Sequence, residues 1–282
     1  MVDTLNSLLA QRGVSPSEFE IIVADDDPDR SASKAVQDVA RSARAPLHYV
    51  ESAAQNISAC RNRCLETAKA NWIAFIDDDQ IAEPDWLREM VSTAAKCKAD
   101  AVQCYVRGIY PPETPDWVKL GGPYTCDYGP TGTLLHSGAA GGILFRRDLP
   151  GSRELLFDIA LGIMGGEDAD FFSRYQALGG KIISCREAVA NEVVPVERIT
   201  PRYLRRKCRR HGHIYGRIVF AKKAPVGRWL SIIKSVIGMA VTSPYAAIRA
   251  ISGAISCWMF MKFWYHVGVL EWAYGRDSVD HE

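Results

Sequence analysis

Trp72-Ile73-Ala74-Phe75-Ile76-Asp77-Asp78-Asp79-Gln80 decides how this chain is read. Five apolar residues run directly into three carboxylates. A short β-rich apolar run with polar borders predicts a buried strand of a parallel sheet. The acids then emerge at the carboxyl end of that strand, where open α/β sheets bind ligands. Like charges this close repel, so a neutralising partner is expected. In extended chain Asp77 and Asp79 face one side and Asp78 the other. Two carboxylates converging from one side suit a hard cation, Mg²⁺ or Mn²⁺, which in turn suits a diphosphate. A solvated acidic turn before the next helix accounts for the triplet equally well.

Working back toward the N-terminus, Phe19 to Ala24 predicts a second buried strand, closed by Asp25-Asp26-Asp27-Pro28-Asp29. An acid at that place in a doubly wound fold commonly bonds a ribose hydroxyl, which makes Asp25 a nucleotide-binding candidate. No GxGxxG fingerprint is present, which argues against a dinucleotide cofactor. Val2 to Gln11 has helical spacing, as does Ser31 to Arg44, and Leu47 to Val50 forms a short strand. Asn56 offers an N-cap for a helix through Lys69 that carries Arg61 and Asn62 in its first turns. An Arg beside a helix start can hold phosphate oxygens, and a capped surface helix explains it too.

Toward the C-terminus, a helix opens at Pro84 and Ala99 to Val106 is a strand. Gly108 to Leu135 is rich in Pro and Gly and carries Trp117, Tyr124 and Tyr128. It reads either as a functional loop stacking on an acceptor sugar or as a packed surface loop. Gly141 and Gly142, before the apolar Ile143-Leu144-Phe145, allow close approach to backbone. Glu167 and Asp168 stand at a helix start, where capping is a sufficient structural explanation. Ile182 to Ser184 and Val189 to Val194 are strands. A basic helix beginning at Thr200-Pro201 carries Arg205, Arg206 and His211. His211 or His213 is either a metal ligand or a packed imidazole.

At 282 residues and 48% apolar composition the chain can bury one large core or two modest ones. Its net charge of +1 hides an asymmetry. Arg198 to Arg228 holds eleven Lys or Arg and no acid, leaving 23 bases against 33 acids elsewhere. That segment fits an anionic partner such as a phosphate or a lipid surface; no nucleic-acid-binding motif accompanies it, and no nucleic-acid partner is expected. The eight cysteines lack zinc spacing and read as small apolar residues in a reducing cytosol. No signal peptide is apparent. The charge-free runs Ser235 to Ile248 and Ala250 to Met261 fall short of a spanning helix. They fit either interfacial helices, with Trp258, Trp264 and Tyr265 at headgroup depth, or a docking helix pair.

Taken together and in order, Glu20 to Asp26, Asn56 to Asn62, Phe75 to Asp79 and Gly166-Glu167-Asp168 resemble family 2 glycosyltransferases of the GT-A fold. Asn191 to Arg198 is similar to a segment of bacterial exopolysaccharide members of the succinoglycan type. The resemblance implies an α/β fold with a Rossmann-like, mostly parallel sheet flanked by helices. It places a catalytic domain at 1–198 and a basic, apolar helical extension at 199–282. It implies a nucleotide-sugar donor, most simply a UDP-sugar, an Mg²⁺ or Mn²⁺ ion, and inversion at the anomeric carbon. The acceptor would be a saccharide or a polyprenyl-diphosphate-linked sugar, and the enzyme would lie at the inner face of the cytoplasmic membrane. By position, Asp25 would contact base or ribose, and Arg61 the donor phosphates. Asp77, Asp78 and Asp79 would form the DxD-type motif with Asp79 nearest the metal, and Asp168 would be the catalytic base. Glu167, Gly141, Gly142, Arg205, Arg206 and His211 are secondary, acceptor-side candidates.

Two departures from the family pattern stand out. Its members begin with a strand and a Pro-Thr-Tyr-like loop, and Met1 stands where that strand ends. Asp27-Pro28 replaces the usual Gly-Ser. The alternative readings are a truncated, non-catalytic remnant that binds nucleotide-sugar or membrane, and a nucleotidyltransferase.

Overall fold

The computed structural model describes residues 1–52, 54–217, 224–247 and 254–275. Lys222 and Lys223 of the basic stretch, and the junction of the two charge-free runs at Arg249, lie outside the described residues. The chain divides into two compact units. The first comprises Met1–Arg107 with Thr125–Glu192, the second Gly108–Tyr124 with Val193–Glu282.

In the first unit, helices α1 (Val2–Leu9) and α2 (Ser33–Ala40) accompany a parallel pair, β1 (Ile21–Asp25) and β2 (Leu47–Glu51). Leu5, Ile21 and Val36 form a small core there. Helix α3 (Ile57–Thr67) starts as expected at Asn56, whose side-chain oxygen accepts from the N–H groups of Ser58 and Ala59. The remaining strands are β3 (Trp72–Phe75), β4 (Gln80–Ala82), β5 (Ala101–Ile109), β6 (Ile143–Arg146) and β7 (Ile182–Val193). They form one sheet in the order β3-β6-β5-β7-β4.

The α/β class with flanking helices is therefore the architecture found, and the sheets are of mixed sense. β1–β2 is parallel, whereas β3–β6, β5–β6 and β4–β7 are antiparallel. β6 follows a long segment after β5 that includes the short helix Asp116–Gly121, and it returns antiparallel beside β5, a pairing that needs no helical crossover. The two C-terminal strand segments read from the sequence are continuous in β7.

Helix α4 (Trp86–Cys97) covers one face of the larger sheet. Its Trp86 and Met90 pack on Val102, Cys104 and Val106 of β5, alternate residues on one side. Helix α6 (Glu167–Ala177) belongs to a second core in which Phe171, Phe172 and Tyr175 surround Phe145. Phe157, in the strap before α6, stacks on Phe171 with centroids 4.2 Å apart. The strap is held to α3 by Asn62. Its amide donates to the Phe157 carbonyl at 2.9 Å and its oxygen accepts the Phe157 N–H at 2.8 Å.

The second unit is helical: α5 (Asp116–Gly121), α7 (Pro201–Tyr215), α8 (Pro225–Ala247) and α9 (Ala254–Ala273). Thr200 caps α7 and Pro201 occupies its first turn, as the sequence predicts. Gly212 and Gly268 let α7 and α9 cross backbone to backbone; a Cβ on Gly212 would meet the Tyr265 carbonyl at 2.1 Å. Glu271 accepts Arg209 through both oxygens, at 3.1 and 2.7 Å. The loop aromatics Trp117 and Tyr124 pack in this unit's core with Leu204 and Phe260. All eight cysteines are free. No described helix is long and apolar enough to cross a membrane.

Removing the Asn62 clamp strands two buried backbone groups. Asn62→Ala is expected to lower unfolding free energy by about 3 kcal/mol in urea titration, each buried group left unsatisfied costing about 1–3 kcal/mol.

Candidate active site

The acids of Asp77–Asp79 leave β3 in a turn rather than in extended chain. The Gln80 N–H donates to the Asp77 carbonyl at 3.1 Å, and Gln80 Oε1 accepts the Asp77 N–H at 3.3 Å. The alternation expected for a strand therefore does not hold. Asp77 turns inward and Asp78 and Asp79 are both exposed. Buried Gln80, unremarked in the sequence, shapes this turn.

Arg61 is the centre of the cluster. Its guanidinium bonds Glu167 at 2.6 Å and lies 3.7 Å from Asp77. The aromatic face of Phe157 lies beneath it, 5.5 Å from centroid to Cζ. The Arg61 and Glu167 side chains are only 12% and 10% exposed. A pair so deeply buried is tolerable only when each charge is compensated. The position of Glu167 follows from the backbone before it: Gly165 and Gly166 both have positive φ, +85° and +92°, and turn the chain sharply into α6.

Asp168 follows on the same helix start. Its Oδ1 accepts the Ala169 N–H at 2.7 Å. Burial holds its carboxyl above the usual carboxylate range and neighbouring Glu167 adds to this, while Arg61 and backbone N–H groups at Ala169 and Ala140 oppose it. Asp77 is also raised. Burial among protein atoms is the main cause, although part of its carboxylate reaches water; Arg61 opposes, and Asp79, Asp78 and Asp168 reinforce. Tyr128 completes this side. Its phenol is pushed up by burial, then by Cys126, Cys104 and Asp168, so it remains a hydroxyl near the carboxylate. The sequence marked it only as one aromatic of a long loop.

Gly141 and Gly142 do allow a close approach, and protein groups make it. A Cβ at Gly141 would lie 2.4 Å from Asp77 Oδ2; one at Gly142, where φ is +99°, would lie 2.3 Å from Cys104 Sγ. Asp25 is buried and engaged: its carboxylate accepts from the N–H groups of Asp27 and Ala32 and from the Tyr49 hydroxyl. It thereby holds the Asp25–Ser31 loop, in which Asp27 accepts the Asp29 N–H in place of a glycine-built turn. Asp25, Arg61, Asp77 and Asp78 line one cavity of about 900 Å³.

Arg205, Arg206 and His211 belong to α7 of the second unit. His213 is packed rather than ligating, its Nε2 lying 3.3 Å from Glu271. Among the described residues no three His, Cys, Asp or Glu side chains are grouped to hold a metal by themselves. Exposed Asp79 fits the sparser arrangement in which Mg²⁺ or Mn²⁺ takes one or two carboxylates and completes its shell with substrate phosphates and water.

The sequence pattern of glycosyl transferase family 2 matches residues 1–149. Over 227 residues the chain is 33% identical to the succinoglycan biosynthesis protein ExoM of Rhizobium meliloti (strain 1021). The match covers 79% of this chain and 72% of that one. The protein belongs to glycosyl transferase family 2.

The fold agrees with that assignment. The transferase resembles S. aureus TarS 1-349 in complex with UDP, with a TM-score of 0.50 and 16% identity over 99% of this chain and 90% of that one. The complex of TarS 1-349 with UDP-GlcNAc gives a TM-score of 0.53 and 14% identity over the same shares. At such identities the likeness concerns the fold. Family membership displaces the nucleotidyltransferase alternative.

Because Arg61 opposes the upward shift of both Asp77 and Asp168, Arg61→Gln is expected to raise both carboxyl titration midpoints. Carboxyl-carbon NMR checks the direction; unchanged midpoints would show that the guanidinium does not set these charges.

Proposed function

We propose that this transferase moves a sugar, with inversion, from a nucleoside-diphosphate sugar (UDP as the nucleotide) to a saccharide or lipid-linked acceptor in polysaccharide biosynthesis. The observation that carries the reading is the cluster itself: Arg61 and Asp77 line one cavity of about 900 Å³, and Arg61 is paired with Glu167, the residue directly before Asp168 at the start of α6. The printed role of ExoM in succinoglycan biosynthesis supports the pathway class. The UDP and UDP-GlcNAc complexes of TarS support the donor class.

The chemistry follows from the residues. An acceptor hydroxyl attacks the anomeric carbon as its bond to the diphosphate breaks, and its proton passes to Asp168. Attack opposite the leaving group in a single displacement inverts the centre. Arg61 spends one edge on Glu167 and has further N–H groups for a phosphate oxygen. Asp79, with Asp77 behind it, would hold a divalent ion, which supplies positive charge to the departing diphosphate. The bare backbone at Gly141 lets the Asp77 carboxylate pack close, where a Cβ would lie 2.4 Å from Oδ2. Asp25 contributes by holding the loop that borders the nucleotide's end of the cavity.

The second unit adds a surface. Val226, Trp229, Leu230, Ile233, Ile237 and Val241 are exposed along one stripe of α8, at the spacing of a single helical face. From Arg198 to Leu270 the sequence holds fourteen Lys or Arg and no acid. An apolar stripe in a wholly cationic stretch fits the surface of an anionic bilayer.

Two experiments test these readings. Asp168→Asn should lower transfer at least 100-fold, since general-base catalysis contributes about 10²–10⁴-fold, while leaving calorimetric UDP affinity intact; Asp79→Ala should abolish the Mn²⁺-dependent part of that affinity. Full transfer by Asp168→Asn would remove it as the base. For the surface, the chain should sediment with phosphatidylglycerol-containing vesicles and release as salt rises. Trp229→Ser combined with Ile233→Ser should weaken that binding about tenfold; equal binding to pure phosphatidylcholine would refute the electrostatic part.

A further inference from the structure

Gln103 of β5 is fully buried, 0% exposed, on a face that is otherwise apolar. It pairs across the ladder with Ile143, as Ala101 pairs with Phe145. Side chains two apart on a strand share a side, so Gln103 adjoins the core that Ala101, Ile143, Phe145 and Phe172 build. An amide so placed is tolerated only when hydrogen-bonded, and an apolar side chain would fill the position without that demand. The reason for the amide lies in what it bonds.

Both ends of the amide are spent on one short segment. Oε1 accepts the Ala139 N–H at 2.8 Å, and Nε2 donates to the Gly142 carbonyl at 3.0 Å. Residues 139–142 belong to no strand or helix. Their two ends are unequally held. The Gly142 carbonyl also accepts the Cys104 N–H at 2.8 Å, and the Gly142 N–H donates to the Phe75 carbonyl at 3.0 Å. Phe75 is the last residue of β3, so the Gly142 end is fixed to the turn that carries Asp77 to Asp79. The Ala139 end is held by Gln103.

Between these ends lie two residues that touch the site. Ala140, 1% exposed, offers its backbone N–H to the Asp168 carboxylate. Gly141 packs its bare backbone on Asp77. The segment thus links the carboxylate on α6 to the acids of the β3 turn, and the Gln103 amide secures the α6 side of that link.

We propose that Gln103 is a positioning residue for the reaction proposed above, on whose assignment of Asp168 as the base this role rests. By holding Ala139, it fixes the Ala140 N–H against the Asp168 carboxylate. The terminal torsion of a carboxylate side chain is broad, and a general base must stay within hydrogen-bond reach of the hydroxyl it deprotonates. The N–H groups of Ala140 and Ala169 together keep that carboxylate in one orientation. Because Gly142 retains its own backbone bonds, loss of the amide displaces the base side and spares the donor side. The signature is a lower kcat at unchanged donor affinity.

The test compares Gln103→Met, similar in volume and without the amide, with Tyr175→Phe. The Tyr175 hydroxyl bonds the Asp100 and Arg146 carbonyls in the same core, so its loss reports a loosened core as such. By amide NMR, the Ala140 N–H resonance should move upfield in Gln103→Met, and exchange at Ala139 and Ala140 should quicken at least tenfold. Tyr175→Phe should leave both as in wild type. With a UDP-sugar donor, Gln103→Met should lower kcat at least tenfold while calorimetric UDP affinity stays within twofold. Added to Asp168→Asn, it should cost no more than a further twofold, since residues acting as one unit are not additive. An unmoved Ala140 resonance overturns the role, as does an equal shift in Tyr175→Phe. A full additional loss in the Asp168→Asn background overturns positioning through the base. Wild-type transfer by Asp168→Asn removes the base and the role with it, whereas wild-type transfer by Gln103→Met alone overturns the role and leaves the base standing. Gln103→Asn, one methylene too short to span both groups, replaces the Met form if that form does not fold.

Discussion

The short, buried contact between Arg61 and Glu167 is the constraint on which the site depends. A guanidinium and a carboxylate withdrawn from water are tolerated only as a compensated set. Arg61 therefore fixes where α3, the β3 turn and the start of α6 meet. It sits 2.6 Å from Glu167 and 3.7 Å from Asp77, on the face of Phe157. The glycines at 141, 165 and 166 follow from the same constraint. Gly141 leaves room for the Asp77 carboxylate, and the positive φ at Gly165 and Gly166 turns the chain into α6 beside Arg61.

The arrangement divides labour among carboxylates that look alike in the sequence. Glu167 is consumed by the ion pair. Asp25 is consumed by its loop, accepting two N–H groups and a phenol. Asp78 and Asp79 are exposed at the turn. Asp168 is held above the usual carboxylate range by burial and by Glu167, with Arg61 opposing. Environment rather than residue type distinguishes the roles.

Much of this was legible. Helix caps at Asn56 and Thr200 are local hydrogen bonds, and the sequence shows both partners of each. The strand-then-acids pattern named Asp77 to Asp79 because apolar runs and carboxylates are contiguous. What the sequence obscured is long-range. Phe157 and Gln80 carry no motif, Tyr128 stood in a loop without periodicity, and the sense of β6 depends on a return path that no local signal encodes. The expected side-to-side alternation of Asp77 and Asp79 failed because β3 ends at Phe75. Two hydrogen bonds to Gln80 then bend the chain into a turn.

By itself the sequence determined the α/β class, the order of its acid-bearing segments, the basic acid-free stretch and the family, because these rest on contiguous composition and capping. The tertiary structure alone decided which carboxylates are exposed, which are enclosed in an ion pair or a loop, and which strands lie beside one another. Those outcomes turn on desolvation and on strand neighbours separated by tens of residues. Neither the depth of a charge nor the partner of an edge is written in the residues beside it.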